Sequence, residues 1–152
     1  MTTIRQEDFI ASVAGALQYI SYYHPVDFIT SLTKAYELEE SPAAKDAIAQ
    51  ILINSRMCAE GHRPICQDTG IVTAFLKVGL DVHFQPGPGE ETKDMQQMVD
   101  EGVRRAYLDP DNKLRASILA DPAGKRTNTK DNTPAVVSVE LVMVYRLLVL
   151  LG

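Results

Sequence analysis

The apolar residues of this chain change their spacing once, and that change confines the fold. As far as Glu60 they recur three and four apart; from Ile71 they run almost unbroken and are rich in β-branched types. The first spacing lines one stripe of a helix, whereas the second belongs to a largely buried strand. A chain carrying both predicts a mixed α/β domain, with a helical amino-terminal half followed by strands and an intervening helix.

Phe9, Ile10, Val13, Leu17 and Ile20 share one face of a first helix. The stretch from Ser21 to Pro25 breaks it, and Phe28, Ile29, Leu32, Ala35 and Tyr36 restart the period. Ser41-Pro42 pairs an N-cap residue with proline at the first helical position, and Gly61 is a natural stop for that third helix. Helices are therefore predicted from Ile4 to Glu60, strands around Ile71 to Phe84 and Ala135 to Val142, and a helix from Thr92 to Leu108. The Gly-Pro-Gly run at Gly87 lacks the lysine and hydroxyl of a phosphate loop and reads as a turn. Residues 114–134 have little apolar period and many polar side chains. A segment of that length with paired Asn-Thr steps, at Asn128-Thr129 and Asn132-Thr133, reads as a structured functional loop.

With 152 residues, 45% of them hydrophobic, the chain is long enough for one domain with a real core. A net charge of −5 with scattered Lys and Arg leaves no footprint for nucleic acid. The amino terminus carries Glu7 and Asp8 rather than a basic-then-apolar signal, so the chain is expected in the cytoplasm. The apolar tail, residues 143–152, is too short to span a membrane, and no membrane association is expected. Two cysteines outside a secretory context argue against a disulfide framework and leave core thiol or metal ligand open. Cys58, in the last turn of a helix, reads as a small core residue. His24, before a proline in a helix break, is given no functional role.

The densest chemistry is Arg63-Pro64-Ile65-Cys66-Gln67-Asp68-Thr69-Gly70. Pro64 pushes Arg63 extended and Gly70 frees the backbone to turn, so Cys66 to Thr69 are expected on a tight loop at an element boundary. Taken alone, the loop fits a buried thiol beside a turn-capping carboxylate as well as it fits a site.

These eight residues resemble the cysteine-bearing loop of the class I, iron–sulfur fumarases and the related L-tartrate dehydratases. Leu114-Arg115-Ala116-Ser117, and Asn128-Thr129 with Asp131-Asn132-Thr133-Pro134-Ala135, resemble two further blocks of that family in the same order. The resemblance implies a hydro-lyase that adds or removes water on a small dicarboxylate, fumarate/malate first and L-tartrate as the alternative. It implies a [4Fe-4S] cluster with Cys66 as one metal ligand, Asp68 as a catalytic and substrate-binding carboxylate, Gln67 facing substrate, and Arg115 gripping a substrate carboxylate. Arg104 and Arg105 are weaker candidates, because charged residues on a helix are usually solvated.

With two cysteines in the chain, the family's three-cysteine set needs ligands from outside it. The expected partners are the remainder of the hydratase or a beta subunit, and family members form homo-oligomers. The resemblance ends near Val142, so residues 1–142 are expected to form the amino-terminal part of the catalytic region. Residues 143–152 then follow as a divergent tail, as in a truncated or frame-altered chain. An inactive fragment that binds no cluster is the non-enzymatic alternative.

Overall fold

A computed structural model describes residues 1–66, 70–111, 114–143 and 147–151. Its elements follow in the order β1 (Thr2–Arg5), α1 (Gln6–Tyr22), α2 (Val26–Leu38), α3 (Pro42–Gly61), β2 (Thr73–Gly79), β3 (Val82–Gln85), α4 (Met95–Leu108), β4 (Val136–Val142) and β5 (Leu147–Leu151). The mixed α/β architecture expected from the change of period is present, helices first and strands with an intervening helix after. The chain divides into two compact units, Met1–Leu17 with Thr69–Gly152, and Gln18–Asp68.

The first unit holds the strands. β2 is the centre of a three-stranded sheet, parallel to β4 with Thr73 opposite Val136, and antiparallel to β5 with Val78 opposite Leu147. Ala74, Leu76 and Val78 alternate inward and are buried, while Phe75 and Lys77 point out. The opposite charges of Lys77 and Glu140 meet across the strand pair at 3.0 Å. β1 and β3 form a separate parallel pair, with Thr2 opposite Val82.

Phe9, Ile10 and Val13 on α1 and Met98, Val99, Val103 and Ala106 on α4 are buried in this unit. Full burial of a side chain of Val to Met size contributes about 1.5–3 kcal/mol. The two helices can approach because position 102 carries no side chain. A Cβ on Gly102 would lie 2.7 Å from Val13 Cβ and 3.0 Å from the Ile10 carbonyl oxygen. Gln6, 0% exposed, fixes the entry to α4: its Oε1 accepts from Lys93 N (2.6 Å) and its Nε2 donates to the Glu91 carbonyl (3.1 Å). Asp94 caps α4, accepting from Gln97 N while the Gln97 side chain accepts from Asp94 N, a reciprocal capping box.

The second unit is helical. α2 packs along α3, yet none of its residues is buried. Phe28 is 39% exposed, so the stripe expected on α2 is only partly covered.

Several boundaries differ from expectation. The chain begins as a strand rather than a helix, because Thr2–Arg5 finds an open partner in β3. The apolar run from Ile71 is two strands in different sheets, broken at Leu80-Asp81. α4 starts at Met95 because Asp94 supplies the cap. Within the 143–152 tail, Leu147–Leu151 is a paired strand of the main sheet.

Candidate functional site

The cysteine loop leaves α3 in the helical unit. Gly61 is the last residue of α3, and His62 follows as its left-handed cap (φ 47°), with its ring stacked on Tyr22 and its Nε2 3.0 Å from the Tyr23 hydroxyl. Cys58 is buried, and its thiol donates to the Pro64 carbonyl at 3.3 Å, as expected of a core residue. Ile65 N donates to the Ser21 carbonyl (2.8 Å). Cys66 is exposed, and its amide donates to Asn54 Oδ1 (3.1 Å). Ala47, Gln50, Ile51 and Asn54, successive positions on one face of α3, join Cys66, His24 and Phe28 around an open cleft of about 600 Å³. His24 is held there by Ser55 Oγ (3.0 Å) and stacks on Phe28. Gln67 and Asp68, the expected substrate contacts, lie outside the described residues.

The other two sequence blocks meet in the strand-bearing unit. Arg115 is exposed, and among the described residues its guanidinium has no ion-pair partner. Two residues on, Ser117 Oγ donates to the Gly70 carbonyl (3.0 Å). The segment then folds into a hairpin, with Thr129 N donating to the Ile118 carbonyl (2.9 Å) and Ala120 N to that of Thr127 (2.8 Å). Asn128 Nδ2 donates to the Ala116 carbonyl (2.9 Å), and its Oδ1 accepts from Lys130 N (2.7 Å). The order expected of the segment 114–134 is thus supplied by its asparagines, as side chain to backbone bonding predicts.

Asn132 is the fully buried member of this set, 0% exposed, with a left-handed backbone (φ 61°). Its Oδ1 accepts from Ser117 N (2.8 Å) and Ile118 N (3.2 Å), its Nδ2 reaches toward the Gly70 carbonyl (3.5 Å), and it also bonds the Tyr107 hydroxyl. Burial raises the Tyr107 phenol above its ordinary value, an effect this bond partly opposes.

Asp131 accepts from Thr133 N (3.1 Å) and Oγ1 (2.8 Å) and pairs with Arg104 Nε (3.2 Å). Its partial burial favours the neutral acid, but the Thr133 bonds and Arg104 outweigh that and hold the carboxyl below the usual carboxylate range. Arg104 also pairs with Glu101, and Arg105 with Glu7 and Glu101. Both of the weaker arginine candidates are therefore occupied by internal carboxylates, whereas Arg115 has none among the described residues.

The sequence of the fumarate hydratase (Fumerase) family matches residues 10–151. The chain is 32% identical over 84 residues to the putative L(+)-tartrate dehydratase subunit alpha of Methanocaldococcus jannaschii, covering 55% of this chain and 28% of that one. It is 29% identical over 122 residues to the L(+)-tartrate dehydratase subunit alpha of Escherichia coli K12, and equally to that of Shigella sonnei; each alignment covers 80% of this chain and 38% of the relative. The chain therefore spans well under half the length of these relatives. It belongs to the fumarate hydratase family, a family of hydro-lyases.

Among the described residues no three His, Cys, Asp or Glu side chains converge as a metal site. Of the two cysteines in the sequence, Cys58 is buried with its thiol engaged and Cys66 is exposed. The chain therefore fits as the donor of one thiolate to a cluster, not of a complete set. No described helix is long and apolar enough to cross a membrane.

Proposed function

We propose that this chain is the part of an iron–sulfur hydro-lyase that contributes one cluster ligand and several dicarboxylate contacts, acting on fumarate/malate. Two observations carry the reading, each within the family match: Cys66 is exposed on a hydrogen-bonded loop, and Arg115 is exposed with no ion-pair partner among the described residues. Cys66 holds one corner of a [4Fe-4S] cluster, and the remaining ligands come from outside this chain, from the rest of the hydratase or a beta subunit. When bound, such a cluster supplies a Lewis-acidic iron for the departing hydroxyl.

The rest of the work falls to side chains. Arg115 offers two parallel N–H donors to one substrate carboxylate, a match in shape as well as charge. Gln67 orients the substrate, and Asp68 polarises it or takes part in moving the proton from the adjacent carbon. The assembly is a homo-oligomer in the cytoplasm, consistent with free thiols and a net charge of −5.

L-tartrate is the second reading, favoured by the names of the bacterial and archaeal relatives. Anaerobic cluster reconstitution, read by visible absorbance and iron content, with hydration and dehydration assays on fumarate and L-tartrate, tests both. Supplying the remainder of a family chain or a beta subunit is expected to yield a cluster and turnover that Cys66→Ser abolishes and Cys58→Ser leaves intact. A cluster that survives Cys66→Ser refutes the assignment of that ligand. Failure to bind a cluster with every partner supplied favours an inactive fragment.

A further inference from the structure

We propose that Asn132 is a positioning residue for dicarboxylate recognition, its buried carboxamide coupling the end of the cysteine loop at Gly70 to the segment that carries Arg115. The inference rests on the hydro-lyase reading above and adds a residue to it.

Asn132 occupies a backbone conformation that side chains other than asparagine, aspartate and glycine adopt at a cost. Its side chain is fully enclosed, and each polar atom has a partner in a different segment. Oδ1 grips two consecutive amides, Ser117 and Ile118, so the backbone two and three residues beyond Arg115 is fixed in direction as well as position. Nδ2 and Ser117 Oγ converge on the Gly70 carbonyl, at 3.5 Å and 3.0 Å. Gly70 follows Gln67 and Asp68 by three and two positions. One side chain therefore ties the Gly70 carbonyl to the stretch that follows Arg115. A displacement of about 1 Å in such a tie is enough to cost a positioned group much of its effect.

Two substitutions separate the roles. Asn132→Gly keeps the left-handed backbone and deletes the carboxamide. Asn132→Asp keeps the acceptor for Ser117 and Ile118 and loses the donor to Gly70. Hydrogen exchange on the isolated full chain, which needs no cluster, is expected to quicken about tenfold at residues 117–118 in Asn132→Gly and to stay unchanged there in Asn132→Asp. In the reconstituted, assembled enzyme, Asn132→Gly is expected to raise KM for the dicarboxylate about tenfold with kcat within about threefold, and Asn132→Asp to raise KM by less. A purely structural residue instead lowers the active fraction, so that kcat falls at unchanged KM, and that result overturns the proposal. If Asn132→Gly does not fold, an unchanged KM in Asn132→Asp overturns it equally. A wild-type assembly that turns over neither fumarate nor L-tartrate defeats the hydro-lyase reading itself, a failure distinct from an active enzyme indifferent to Asn132.

Discussion

Replacing Gly102 by alanine tests the packing that positions α4, the helix that carries Arg104 and Tyr107. In a helix interior the substitution alone stabilises by about 0.5–1 kcal/mol, because glycine loses more conformational freedom on folding. Here the new methyl would lie 2.7 Å from both Val13 Cβ and Val13 Cγ1 and 3.0 Å from the Ile10 carbonyl oxygen. Val13 is itself 1% exposed and has no room to turn away, and a backbone carbonyl in the middle of α1 cannot yield without moving the helix. Overpacking of this kind costs about 1–3 kcal/mol, and a Cβ contact this short against a backbone atom belongs at the upper end. The two effects leave a net loss of about 1–2 kcal/mol. For a chain of this length that lowers the thermal midpoint by roughly 2–8 °C. Thermal unfolding followed by circular dichroism reads the shift, and Gly15→Ala is the control, because a Cβ there meets nothing within 4 Å. If Gly102→Ala matches or exceeds the wild type in midpoint, α4 does not pack closely on α1 at position 102.

Other perturbations probe the site more directly. Asn54→Ala removes the acceptor of the Cys66 amide, and alkylation of Cys66 by iodoacetamide, followed by mass spectrometry, is expected to change about threefold or more while Cys58 stays protected; equal rates in both proteins would show that Asn54 does not shape the loop. Arg115→Lys, which loses the planar fork, is expected to raise KM for a dicarboxylate at least about tenfold in the assembled enzyme, and an unaltered KM would remove Arg115 from the substrate contacts. The Asp131 carboxyl is depressed in the folded chain, so its contribution to stability is present in full above the ordinary carboxylate pKa of about 3.9 and is lost as pH falls through the folded value. Asp131→Asn should therefore lower stability at pH 7 and flatten the fall in unfolding free energy below about pH 4, and parallel pH profiles for the two proteins would contradict that linkage.

The fold was legible where period and punctuation agree. Met98, Val99, Val103 and Ala106 stand at helical spacing ahead of Asp109-Pro110, and they belong to the buried face of α4. Legibility failed where the partner is remote in sequence. Nothing in Thr2–Arg5 announces a strand, because its stability comes from pairing with Val82–Gln85 some eighty residues away. The run from Ile71 to Phe84 reads as one strand because apolar content does not register that its two halves join different sheets. The stripe on α2 was visible, but periodicity reports which face seeks cover, not whether cover exists, and α2 buries no residue.

The candidate site divides along the same line. Cys66 and Arg115 stood out because thiol and guanidinium chemistry is visible in the residue itself, and both are exposed, whereas Arg104 and Arg105 carry the same chemistry and are consumed by Glu101, Glu7 and Asp131. Only the pairing tells them apart. Gln6, Asn54 and Asn132 were missed as structural anchors for the opposite reason. A carboxamide is uncharged and common, and its importance lies in which backbone groups it meets: Lys93 and Glu91 for Gln6, Cys66 for Asn54, and Ser117, Ile118 and Gly70 for Asn132. The paired Asn-Thr steps gave the one available signal, since asparagine in a polar segment without period bonds backbone more often than solvent would require. Each end of the cysteine loop is thereby set by an amide side chain, Asn54 at Cys66 and Asn132 at Gly70. Carboxamides suit that task because they can hold backbone as donor or acceptor without adding charge.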